Sequence, residues 1–164
     1  MKKSLTAFVI ILVVMTACNQ PVNNNAVLQK QIDSLQQKLA ETYKPGLGEF
    51  MSGIQMHHAK LWFAGINQNW KLADFEIHEI GEALEDIQRF NSDRSEVKLI
   101  GMLTPAIDSV NTAIQQKDTF QFRKNFITLT NTCNTCHKAT EHEFNVVIVP
   151  KTLPVVNQDF SPLK

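Results

Sequence analysis

The sequence predicts an all-α fold: an antiparallel four-helix bundle with an N-terminal helical spacer and an extended C-terminal strap. Three observations carry this expectation. From Glu49 onward apolar residues recur at spacings of three and four, with no strict alternation before the tail. Turn and capping residues punctuate that pattern at Asn67-Gln68-Asn69, Asn91-Ser92-Asp93 and Asp118. The 164 residues are 43% hydrophobic and 20% charged with mean hydropathy −0.16, ordinary globular material for one domain with tails. Equal numbers of basic and acidic residues, 16 of each, exclude the strongly basic face of a general nucleic-acid binder.

Residues 1–17 read as a targeting segment. Lys2 and Lys3 precede an apolar run, Ala7 to Met15, far shorter than the about 20 helical residues that cross a bilayer. Met15-Thr16-Ala17 stands directly before Cys18 and resembles the bacterial lipoprotein box, whose cysteine becomes the lipidated N-terminus. That resemblance implies an extracytoplasmic protein, lipid-anchored at Cys18 to a bacterial membrane and facing the periplasm or cell surface. Loss of Lys2 and Lys3 with the leader would leave the chain two units negative. Residues 18–46 form the tether and a short spacer helix. Within Ala26 to Thr42, Leu28, Ile32, Leu35 and Leu39 make a two-heptad stripe, expected to space the domain from the membrane rather than to pair two chains.

The bundle is expected over residues 47–142, opened by the break at Lys44-Pro45-Gly46. Its first helix runs from about Glu49 to Ile66, with Phe50, Ile54, Leu61 and Trp62 on one side. The second covers Trp70 to Phe90, where Leu72, Ala73, Ile80, Ala83, Leu84 and Ile87 share a face. The third spans Ser95 to Gln116, bent where Thr104-Pro105 reads as an internal cap and a first-turn proline. The fourth starts after Asp118 and reaches about His142, with Phe122, Phe126, Leu129 and Cys133 as its stripe. Residues 143–164 are β-rich at Val146 to Val149 and then carry three prolines, which predicts an extended strap.

The two remaining cysteines stand in CNTCH, Cys133 to His137. Thiols three positions apart on a helix can add to the two vinyl groups on one haem edge, and the adjacent histidine can reach the iron. A thioredoxin-like pair would need a helix start within a βαβ unit, and a structural zinc site would need a fourth ligand. The motif therefore predicts one covalent haem c, with Cys133 and Cys136 as thioether links and His137 as proximal ligand. Cytochromes of the mitochondrial type place this motif early and a methionine ligand downstream. Only 27 residues follow His137 here, and none is methionine.

With CNTCH on its last helix the chain resembles the cytochrome c prime class, and other small extracytoplasmic monohaem proteins. The residues carrying the resemblance are HAKLWFAG (His58 to Gly65), NW-x-LA (Asn69 to Ala73) and CNTCH with Lys138. It implies the same thioether and proximal residues, an iron that is open or blocked by an apolar side chain, and small-gas binding. Bundles of this class often dimerise, so the resemblance allows a homodimer, and the sequence leaves open whether the first bundle helix pairs two chains.

The sequence departs from that class by placing His57 and His58 on the first bundle helix. At about 100° per residue, His58 falls inside the apolar stripe, His57 at its flank and Met56 away from it. His58 is thus the candidate distal ligand, against the plainer reading of a core histidine bonded to a neighbour. Glu76 lies on the apolar face of the second helix, where a carboxylate is costly unless paired. It is a candidate to accept from the far nitrogen of His58 and fix its ring, or a proton donor near an open iron, against the plainer reading of a solvated bundle edge. His78 and His142 are not expected to ligate.

The leading expectation is single-electron transfer among extracytoplasmic redox proteins. The alternative is binding of NO or CO at a vacant or displaceable sixth site. A peroxidase-like activity using Glu76 or His58 ranks last, and no catalytic residue is assigned.

Overall fold

The computed structural model describes residues 24–162; the expected targeting segment, Cys18 and the start of the expected tether lie outside the described residues. Those described are all helical where they are regular, with no strand. α1 spans Asn24–Glu41 and belongs to a unit that ends at Tyr43, separate from the unit that begins at Lys44. Its stripe of Leu28, Ile32, Leu35 and Leu39 is exposed.

In the second unit α2 spans Leu47–Ile66 and α3 spans Trp70–Phe90. α2 begins two residues before the expected start because Gly46, extended at φ −74° and ψ 158°, takes the N-cap position. Between the helices Gln68 adopts a left-handed φ of 61°, and the Asn69 side chain caps α3 by accepting from the Leu72 N–H. α3 has the predicted ends, and its buried residues Ala73, Ile77, Ile80, Leu84 and Ile87 follow the helical period.

The expected third helix divides in two. Ser95–Leu103 is a 3₁₀ segment, and α4 runs over Thr104–Gln115. Pro105 has no N–H to return to Gly101, whose carbonyl instead takes the Thr104 N–H in the tighter pattern. Thr104 makes no side-chain cap, contrary to the sequence reading. α5 spans Thr119–Ala139, capped by Asp118 through the Phe120 and Gln121 N–H groups. It stops three residues before the expected end because Glu141 turns left-handed, at φ 60°. The His142 N–H then bonds the His137 carbonyl at 2.7 Å.

α2 packs chiefly on α3, α4 on α5, and α2 and α5 close the set. Along α2 and α5 the contacts run in opposite directions: Gly65 against Phe122, Trp62 against Phe126, His58 against Thr130. Phe122 and Phe126 are fully buried at this seam. Among the described residues after Ala139 there is no regular structure, and Val146 to Val149 form no strand. Its far end is pinned by buried Phe160, 5.8 Å from Phe63, and by the Asn69 amide donating to the Ser161 carbonyl at 2.8 Å. Among the described residues no helix is long and apolar enough to cross a membrane.

Candidate cofactor site

Cys133, Cys136 and His137 occupy the last two turns of α5 and line one cavity of about 450 Å³. That volume falls in the range of about 300–1,000 Å³ typical of cofactor and small-molecule sites. The opposing walls are apolar: Leu47, Met51 and Ile54 of α2, Ile80 and Leu84 of α3, and Ile100 and Leu103 of the 3₁₀ segment. Arg94 and Glu96 supply a charged edge, joined by a 2.5 Å ion pair that holds the Glu96 carboxyl down at about 2.

The donor set suits a haem. Burial pushes the Cys133 thiol up to about 11, with the neighbouring Cys136 adding to the shift, and burial also raises Cys136. Both thiols lie toward the C-terminal end of a helix, where the dipole disfavours a thiolate, unlike the activated pair of an oxidoreductase. His137 Nδ1–H donates to the Asn145 carbonyl at 2.6 Å. That bond leaves Nε2 as the lone-pair nitrogen of the neutral ring, the form a metal takes. Among the described residues no three His, Cys, Asp or Glu side chains converge on a bare metal ion.

His58 lines the same cavity and is buried, 4% exposed. Its Nε2 lies 2.9 Å from Thr130 Oγ1, and the Thr130 hydroxyl donates to the Phe126 carbonyl at 2.9 Å. A hydroxyl has one proton to give, so Thr130 accepts from His58 and Nε2 carries the hydrogen. Burial holds the imidazole down to about 4, hence neutral. In this geometry His58 is the hydrogen-bonded core histidine.

Glu76 corrects the sequence reading in its partner. Its carboxylate is fully buried, but Oε2 accepts from His57 Nδ1 at 2.7 Å rather than from His58. His57 lies at the edge of α2 that faces α3, and His58 faces α5. The second oxygen, Oε1, has no hydrogen-bond partner, and Lys60 Nζ stands 3.9 Å from it. His57 Nε2 is also 3.9 Å from Glu79. His78 is exposed and bonds the Asp74 carbonyl. His142 lines the cavity beside His137, with Nδ1–H donating to the Thr140 carbonyl.

The sequence reading did not single out Met51, Arg94, Asn134 or Asn145. Met51 was legible as a helix-spaced residue; the others depend on loops whose course no periodicity reveals. No family model matches the chain, and no curated protein or solved structure matches it either.

Proposed function

We propose that the protein is a monohaem c-type cytochrome, tethered by lipid at Cys18 outside the cytoplasm, that carries single electrons between redox proteins. The observation that supports this best is the meeting of Cys133, Cys136 and His137 on one largely apolar cavity, with the Nδ1–H of His137 bonded to the Asn145 carbonyl and Nε2 left as its lone-pair nitrogen. When bound, haem supplies reversible one-electron chemistry at its iron. Cys133 and Cys136 would hold its edge through thioether bonds, His137 would ligate the iron, and Arg94 at the rim would meet a propionate only by sharing its guanidinium with Glu96. The apolar walls would give the haem a largely nonpolar surrounding, which favours electron exchange with little reorganisation.

The finer architecture belongs to this proposal: an antiparallel four-helix bundle of the cytochrome c prime-like kind, with the tail strapped across it. The opposed contacts of α2 with α5 support it. A mildly acidic mature chain would dock on partners that present basic patches.

The test is expression of the full chain in a bacterium that attaches c-type haem, followed by an alkaline pyridine spectrum. A thioether haem spectrum at one haem per chain is expected, lost on replacing both Cys133 and Cys136 by serine. An apo-protein from that host overturns the proposal. Fatty-acid labelling that survives Cys18→Ser would overturn the anchor alone.

A further inference from the structure

We infer that Met51, rather than His58, is the side chain that closes the iron site opposite His137. The inference rests on the haem reading above and adds the sixth ligand to it. Three contacts fix the register of α2 against α5: Gly65 with Phe122, Trp62 with Phe126, and His58 with Thr130. From Trp62 to His58 and from Phe126 to Thr130 the step is four residues on each helix, and the pair Gly65 and Phe122 agrees to within one residue. His137 lies seven residues beyond Thr130, about 10 Å along the axis and almost two full turns, so on the same helix face. Seven residues back from His58 is Met51. The register that seats His58 on Thr130 therefore sets Met51 across from His137, and sets His58 about two turns too deep.

The chemistry of the cavity wall agrees. Of the α2 residues lining it, only Met51 and His58 carry an atom that haem iron takes from a protein. His58 Nε2–H donates to Thr130 Oγ1, so ligation by that nitrogen would require breaking a buried hydrogen bond, and it is the register that sets the other ring nitrogen, Nδ1, away from His137. Met51 is half-buried, packs against the core and lines the cavity, and its unbranched thioether can adjust its reach. His142 also lines the cavity, but it follows α5 directly and its N–H bonds the His137 carbonyl, which keeps it on the proximal side. A methionine–histidine pair gives a low-spin iron with a higher potential than a bis-histidine pair. A filled sixth position suits electron transfer and works against gas binding.

The test uses the full-length holoprotein and reads spectra. The oxidised wild type is expected to be low-spin and to show the sulfur-to-iron charge-transfer band at the red edge of the visible range. Met51→Leu, nearly isosteric, should abolish that band, convert the iron to high spin and open the reduced form to rapid carbon monoxide binding. Met51→His should stay low-spin without the band and at a lower midpoint potential. His58→Gln should keep both the band and the spin state. A wild type without the band, a Met51→Leu protein that retains it, or a His58→Gln protein that loses it overturns Met51 ligation. Any of these with a normal pyridine spectrum leaves the haem reading standing; a chain without thioether haem overturns both.

Discussion

Asn134 clamps the backbone of Val147 with both ends of its side-chain amide: Nδ2 donates to the Val147 carbonyl and Oδ1 accepts from its N–H, each at 2.8 Å. Asn134 stands between the two cysteines of CNTCH, and Val147 lies two residues past the Asn145 carbonyl that holds His137 Nδ1. One side chain thus ties the segment that orients the proximal histidine back to the helix that carries it.

Asn134→Ala should therefore cost about 1–3 kcal/mol, the worth of two hydrogen bonds, in urea unfolding. The more specific readout is hydrogen exchange at the Val147 amide, which should quicken markedly. Unchanged protection there would mean that the clamp does not hold in solution.

His58 sets a pH dependence. Its folded pKa, about 4, lies below the ordinary 6.5, so the unfolded chain takes up the proton first. Stability is then full above about pH 6.5 and falls as the pH drops toward 4, by about 3 kcal/mol in all at 1.36 kcal/mol per unit. His58→Gln keeps a donor for Thr130 and removes the titration. Its unfolding free energy should be flatter than the wild type's across that window. Carboxylates such as Glu96 contribute equally to both proteins, so parallel curves would refute the assignment.

The His57–Glu76 bond joins a partly exposed ring to a fully buried carboxylate. His57→Ala should destabilise by about 1.5–3 kcal/mol, because a charged acceptor loses its one short bond. Glu76→Gln should also destabilise, and the double variant by clearly less than the two effects added. Simple additivity in that thermodynamic cycle would show the pair to be energetically uncoupled.

Gly65 is the closest approach of α2 to α5. A Cβ there would stand 2.1 Å from Phe122 Cζ, and that ring is completely buried beside Trp62, Trp70 and Phe126. Gly65→Ala should cost about 1–3 kcal/mol from overpacking, although alanine is the better helix former. Adding Phe122→Leu should recover part of that loss in thermal unfolding. A neutral or stabilised Gly65→Ala protein would count against this close contact.

Where the chain signals locally, the sequence was readable. The ends of α3, Trp70 and Phe90, follow from a capping asparagine and an apolar period, and Asp118 marks the start of α5 by its own side chain. The end of α5 was read three residues long because the left-handed turn at Glu141 leaves no glycine or asparagine as a signal. The third helix divides because Pro105 changes the hydrogen bonding upstream of itself, an effect that hydrophobic spacing does not record. Among the site residues, the mutual position of Cys133, Cys136 and His137 was legible because one helix carries all three.

By itself the sequence determined α2, α3, the start of α5 and the spacing of the CNTCH motif, since these are properties of a few consecutive residues. Only the tertiary structure decided which neighbours the histidines and Glu76 meet. His57 and His58 are adjacent in the chain, yet one is bound to α3 and the other to α5. Successive helical side chains diverge by about 100°, so their partners are chosen by helices brought alongside from far along the chain. The same long-range register, set by large rings at the seam of α2 and α5, is the ground on which Met51 rather than His58 is inferred to face His137.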